Sequence, residues 1–222
     1  MVAFQRARNA EQREARRRTI LGTAAAMLEE MPVSEVSLNE LSRRVGLAKS
    51  NVLRYFESRE EILLELLDQA RSQWLASLAG QLSAGVDPAG GERDRGDQIA
   101  AVIAGSLGSR RVLCDLLSAQ DSVLEHNVSV EIAARYKRAF LADIESLAGL
   151  VRHHLPELRQ DDSLRLSGMV VLLVSALWPA TRPSASMLAA YEADPALAAM
   201  RVHFAPALRE AISVLITGSL SR

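Results

Sequence analysis

A chain of 222 residues with 49% hydrophobic and 24% charged side chains can bury a sizeable core, as one large domain or two modest ones, and its balance excludes an intrinsically disordered protein. Its one cysteine, Cys114, excludes an intrachain disulfide and fits a reducing, cytoplasmic setting. The net charge of −1 hides an asymmetry: residues 1–55 carry ten basic and six acidic side chains, a balance of +4, and the remainder sixteen against twenty-one, a balance of −5. A basic head on an acidic body suggests that the head meets a polyanion, the plainer alternative being solvated surface.

Taken in chain order, the segments carry helical spacing almost everywhere and almost no period-two alternation. No apolar run of signal-peptide length opens the chain (MVAFQRARNA). Ile20, Ala24, Met27, Leu28 and Met31 share one face of a first helix, which Pro32 ends. Ser37-Leu38-Asn39-Glu40 reads as a capping box that starts a short second helix carrying Leu38, Leu41 and Val45. Gly46 supplies the positive φ that a sharp turn past a helix end requires. A third short helix runs from Lys49 to Tyr55, and a second capping box, Ser58 to Glu61, opens a long fourth helix that ends near Gly85. GVDPAGGERDRGD, residues 85–97, reads as the clearest loop. Helical pattern returns over 98–107 and 110–124, then over a long stripe from Val130 to Leu155 that Pro156 stops. An uncharged stretch from Leu166 to Thr181, too short for an easy membrane span, reads as a buried helix over roughly 164–178. Pro179, Pro183 and Pro195 break the next region into short pieces, and a last helix starts near Pro206 and ends at Gly218.

The expected fold is therefore all-α: a three-helix helix-turn-helix domain over residues 10–57, then a larger helical domain over 58–222. In a helix-turn-helix the second helix lies in the DNA major groove. Leu41, Val45, Leu47 and Val52 pack inward in this reading, leaving Lys49, Ser50, Asn51, Arg54 and Tyr55 to project. Asn pairs with adenine and Arg with guanine in bidentate fashion, and Lys, Ser and Tyr reach phosphates or single base atoms. An ordinary helical hairpin with a polar outer face is the bland alternative.

SLNELSRRVGLAKSNVLRYFESREEIL, residues 37–63, with TAAAMLEE before it, closely resembles the DNA-binding segment of tetracycline-repressor-type (TetR) transcriptional regulators, over about residues 10–66. The resemblance implies that Ser37 and its helix N-terminus hold a phosphate, that Lys49, Ser50, Asn51 and Arg54 face the groove, and that Tyr55 and Arg59 grip the backbone, with Arg43 or Arg44 either adding a contact or, as the plainer reading, forming an exposed solvated pair. It extends to an arm of Arg6, Arg8, Arg13, Arg16, Arg17 and Arg18 that follows phosphates or enters a minor groove, the alternative being a charged helix face. One departure stands out: Leu53 occupies a position that is often aromatic in this family, so it lacks a hydroxyl for a phosphate and meets at most a thymine methyl. Glu57 is expected to point away from DNA.

One recognition helix covers too few base pairs to find one site in a genome, so a homodimer on a double-stranded operator is expected. Gly168, Val171 and Ser175, with Leu208, Ile212 and Leu215 of the last helix, are the candidate interface, the alternative for the apolar helix being the core of one subunit. The larger domain is expected to hold a small-molecule inducer among Cys114, Leu117, His126, Tyr136, Phe140, Met169, Leu173 and Trp178, although each of these is also an ordinary core residue. The helix from Ser58 to Leu82 then serves as the lever between two states. A regulator without small-molecule input, controlled by abundance or by a partner protein, is the second reading. No cofactor, metal site or membrane partner is expected. An enzyme is disfavoured: there is no nucleophile motif, Gly-rich phosphate loop or CxxC, and adjacent His153 and His154 diverge on a helix and make a poor metal pair.

Overall fold

The computed structural model describes the backbone of residues 2–221 and the side chains of residues 10–121 and 124–221. Eleven α-helices and no strand occur among the described residues: α1 Val2–Glu30, α2 Leu38–Val45, α3 Lys49–Val52, α4 Arg59–Gly85, α5 Glu92–Gly108, α6 Arg111–Ala119, α7 Val130–His154, α8 Gln160–Ala180, α9 Ala185–Ala193, α10 Pro195–Ala198 and α11 Phe204–Leu220. The chain divides into two compact units, Met1–Asp68 with Ala119–Tyr136, and Gln69–Ser118 with Lys137–Arg222.

The first unit closes on Ile20, Ala24, Met27 and Leu28 of α1, Leu41 of α2, Val52 and Phe56 around α3, and Ile62, Leu63 and Leu67 of α4, all at most 2% exposed. A 3₁₀ turn at Val33–Glu35 puts Val33 and Val36 under the same core. Its second segment opens with a π-helical turn, Gln120–Leu124, and ends in the first turns of α7, which bury Ile132 and Tyr136. The sequence pattern runs one helix through this region. The structure ends α6 at Ala119 instead and changes the winding there.

The second unit is built on α5, α8 and α11, with α11 packed against both of the others. The approach of α5 to α11 is close enough that a Cβ on Gly96 would stand 2.8 Å from Ile216 Cγ2, so a larger residue there would force Ile216 to shift. Trp178 meets Phe204 edge to face at 4.9 Å, and its Nε1 donates to Asp115 at 2.7 Å. Arg95 closes the C-terminal end of α7 by donating to the His154 carbonyl at 2.8 Å and to Glu157 at 2.6 Å.

Two further expectations about element limits change, and one about burial. The loop after α4 is only residues 86–91, because α5 begins at Glu92, where Glu92 and Asp94 favour a helix N-terminus. Pro179 does not break α8 but lies inside its last turn. The apolar α8 is buried on one face only: Leu166, Val170 and Val174 point inward, while Met169 is 41% and Leu172 56% exposed. By length and composition α8 is the one helix among the described residues able to cross a bilayer, yet its inward face carries the buried Asp162, Ser163 and Ser167 and packs on α11.

Candidate nucleic-acid interface

The turn between α2 and α3 is set by local chemistry. Ser37 caps α2, its Oγ accepting the Glu40 N–H at 3.1 Å. The reciprocal half of the expected box is missing, because the Glu40 carboxylate accepts instead from Arg43 (2.8 and 2.6 Å) and Arg44 (2.8 Å). Those two guanidinium groups, Arg43 first, hold Glu40 at a pKa of about 2. At the far end Gly46 takes φ 73°, the only positive φ among the described residues. Its N–H reaches the Arg43 carbonyl at 3.2 Å and the Leu47 N–H reaches the Ser42 carbonyl at 3.0 Å, the paired bonds of a Schellman motif.

Past this turn α3 makes one α-helical turn and then tightens, with the Arg54 N–H on the Asn51 carbonyl and the Tyr55 N–H on the Val52 carbonyl. Val52 is buried beneath it and Leu47 half-buried. Lys49, Ser50, Asn51 and Arg54 are exposed and have no side-chain hydrogen bond or ion pair among the described residues. Leu53 stands beside them, 41% exposed. Tyr55 is half-buried with its ring beneath Arg13, 6.0 Å from the guanidinium carbon. An open groove of about 940 Å³ runs between α1 and this segment, lined by Gln12, Arg13, Ala15, Arg16, Thr19, Arg54 and Tyr55, with three guanidinium groups and no carboxylate on its walls. Helical spacing alone does not reveal that Arg13 and Arg16 share a groove with Arg54.

Several expected contacts are redirected. Arg59 turns inward, its guanidinium donating to the carbonyls of Val33 and Val36 at the 3₁₀ turn, so it has no free fork for a phosphate. Arg44 bridges Glu40 and, at 2.6 Å, Glu30 of α1, and is a stitch between helices. Arg17 leaves the expected arm for an ion pair with Glu65. Arg6 and Arg8 lie outside the described side chains, and Arg18 is exposed.

The candidate inducer residues are drawn from both units. His126 and Tyr136 belong to the first unit, the former exposed and the latter buried; Cys114, Leu117, Phe140, Met169, Leu173 and Trp178 belong to the second. Within the second unit Met169 faces outward, and Trp178 is engaged by Phe204 and Asp115. Cys114 is fully buried, with its sulfur 3.3 Å from the Leu107 carbonyl and its thiol pushed by burial to about 12, so it is a packing residue. Among the candidate interface residues, Leu208 and Ile212 are fully buried in their own chain and Val171 nearly so. Ser175 donates inward to the Leu117 carbonyl at 3.0 Å, and Gly168 and Leu215 are half-exposed. The apolar side chains that these two helices do present outward are Met169, Leu172 and Val214.

A capped helix, a left-handed glycine and a short helix with a free polar face define a helix-turn-helix DNA-binding domain. Residues 20–66 match the family described as "Bacterial regulatory proteins, tetR family", and residues 68–222 match "Tetracyclin repressor-like, C-terminal domain". The chain belongs to the TetR family of transcriptional regulators. It is similar to the HTH-type transcriptional regulator EthR of Mycobacterium tuberculosis and of Mycobacterium bovis, at 37% identity over 54 residues. That match covers 24% of this chain and 25% of the relatives, so it spans a quarter of their length. Among solved structures, the fatty acid degradation regulator FadR from Bacillus halodurans superposes at TM-score 0.54 and 12% identity, over 90% of this chain and 97% of that one. The multidrug binding protein EbrR complexed with imidazole gives TM-score 0.55 at 14% identity, over 90% and 94%. FadR from Bacillus subtilis in complex with stearoyl-CoA gives 0.53 at 11%, over 89% and 96%. At these identities the likeness is one of fold.

Proposed function

We propose that this regulator is a repressor that binds a palindromic operator as a homodimer and is released by a small apolar molecule. The observation that carries the DNA reading is the split between paired and free cations in the first unit. Arg17, Arg43, Arg44 and Arg59 are tied to carboxylates or carbonyls, whereas Arg16, Lys49 and Arg54 have no such partner among the described residues and stand around one face and groove. Like charges collected without counter-ions are stabilised by an external polyanion. Lys49, Ser50, Asn51 and Arg54 read base edges, and Leu53 offers its methyl groups to thymine. Arg13, Arg16 and Tyr55 take the flanking phosphates, with Ser37 at the N-terminus of α2.

The homodimer is supported by the outward apolar side chains of α8 and α11, which a lone chain leaves in water. Release by a small molecule draws support from fold neighbours whose structures hold stearoyl-CoA or imidazole. The second reading, control by abundance or by a partner protein, is favoured by the outward position of Met169 and the close packing of Cys114 in the second unit.

The test is Arg54→Ala, measured as equilibrium binding to an operator and to unrelated duplex over a range of salt. The reading expects a loss of about 1–3 kcal/mol on the operator, with relaxed discrimination at one base step. An equal loss on every sequence makes Arg54 a phosphate contact and refutes its base-reading role.

A further inference from the structure

Two arginines one helical turn apart on α1 hold the carbonyl end of the DNA-reading segment. Arg17 Nη1 donates to the Tyr55 carbonyl at 2.6 Å, and Arg13 Nη2 donates to the Arg54 carbonyl at 3.4 Å. A spacing of four residues puts both side chains on one face of α1. Each guanidinium also stands over the ring of the next residue along: Arg17 at 4.1 Å from the Phe56 ring centre, Arg13 at 6.0 Å from that of Tyr55. Both carbonyls lie in the tightened segment just past α3, whose own last carbonyls accept from backbone N–H groups, and the two guanidinium groups supply donors to them.

The two arginines differ in what else they do. Arg13 lines the open groove beside Arg16 and Arg54. Arg17 does not; its side chain is 21% exposed, and its other Nη is committed to Glu65 of α4. It therefore joins α1, the end of the reading segment and α4 through three different features of one group: two separate N–H donors and a flat face.

We propose that Arg17 is a positioning residue for DNA recognition: without meeting base or phosphate, it sets the angle at which Lys49 to Arg54 leave the domain, by clamping the Tyr55 carbonyl between α1 and α4. This rests on the reading of Lys49 to Arg54 as the DNA-facing segment. Lysine keeps the charge but has neither the fork nor the flat face, so it cannot serve all three partners at once. Hydrogen bonds to base edges weaken steeply with misalignment, whereas attraction to phosphates does not depend on such registry. Loosening the clamp therefore costs specific binding and spares non-specific binding.

The experiment compares full-length wild type with Arg17→Lys on two duplexes of equal length: one enriched from a random pool by wild type, and a scrambled one. Anisotropy is read across a range of salt, with circular dichroism to establish folding. Arg17→Lys is expected to lose roughly tenfold on the enriched duplex, comparable to one base contact, and to stay within about twofold on the scrambled one. The slope of log affinity against log salt is expected not to change. A slope reduced by about one places Arg17 on a phosphate and overturns the proposal, as do an equal loss on both duplexes and no loss on either. Should Arg17→Lys fail to fold, Glu65→Leu, which removes the acceptor of the second anchor at similar size, is scored by the same outcomes. A wild type that enriches no duplex overturns the DNA reading and the positioning role together; one that does so, with Arg17→Lys behaving identically, overturns the positioning role alone.

Discussion

The Glu57 carboxylate accepts the backbone N–H of Ser129 at 2.6 Å, joining residues 72 apart in the chain. Ser129 immediately precedes α7, so the carboxylate sits at that helix's N-terminus, where negative charge is favoured. The backbone N–H of Glu57 in turn donates to Glu61 at 2.7 Å, and Glu61 pairs with Arg135 of α7 at 3.1 Å. An acidic residue that is unhelpful beside DNA is thus accounted for: it belongs to the joint between α4 and the start of α7 inside the first unit.

Glu57→Ala is expected to destabilise the protein by about 1 kcal/mol, as loss of a helix cap does. The midpoint of urea unfolding checks this. The same variant is expected to bind a scrambled duplex no more weakly than wild type, since Glu57 carries no attraction for phosphate.

The Glu40 carboxylate, held near pKa 2 by Arg43 and then Arg44, gives a pH signature. Its folded value lies below its unfolded one, so its contribution to stability is complete above the ordinary carboxylate range and is lost as pH falls toward about 2. An NMR titration of the Glu40 side chain is expected to show it ionised well below the pH at which most carboxylates protonate. Arg43→Gln together with Arg44→Gln is expected to return it to the ordinary range.

Leu172→Glu tests the association face. Leu172 is 56% exposed on α8, so the change costs the isolated fold little, yet it puts a charge among the outward apolar side chains of the proposed contact. Sedimentation is expected to report a dimer for wild type and a monomer for the variant. An unchanged dimer moves the interface away from α8.

Local chemistry is readable from the chain; the destinations of long side chains are not. Ser37 and Gly46 act through bonds to residues within four positions, so spacing alone identifies both. The inward turn of Val52 and the outward turn of Lys49, Ser50, Asn51 and Arg54 follow from helical period. Arg59 escapes a reading by spacing because its partners, the Val33 and Val36 carbonyls, are brought together by a 3₁₀ turn that no periodicity announces. Arg17 looks like Arg13, Arg16 and Arg18 in a basic run, and only the position of α4 separates it from them. Leu208 and Ile212 form an apolar stripe that fits an inner or an outer neighbour equally well, and packing against the rest of the chain decides for the inner one. The inducer candidates stand out by composition, which does not tell a cavity wall from a packed core.

The central claim is that Lys49 to Tyr55 form a DNA-reading surface presented twice by a two-fold dimer. Selection of bound duplexes from a random pool by the full-length protein tests it most directly. The account predicts enrichment of an inverted repeat whose half-sites lie about one helical turn or slightly more apart, lost when Asn51 and Arg54 are both replaced by alanine. Enrichment of no sequence, or of the same sequence by that double variant, would contradict it.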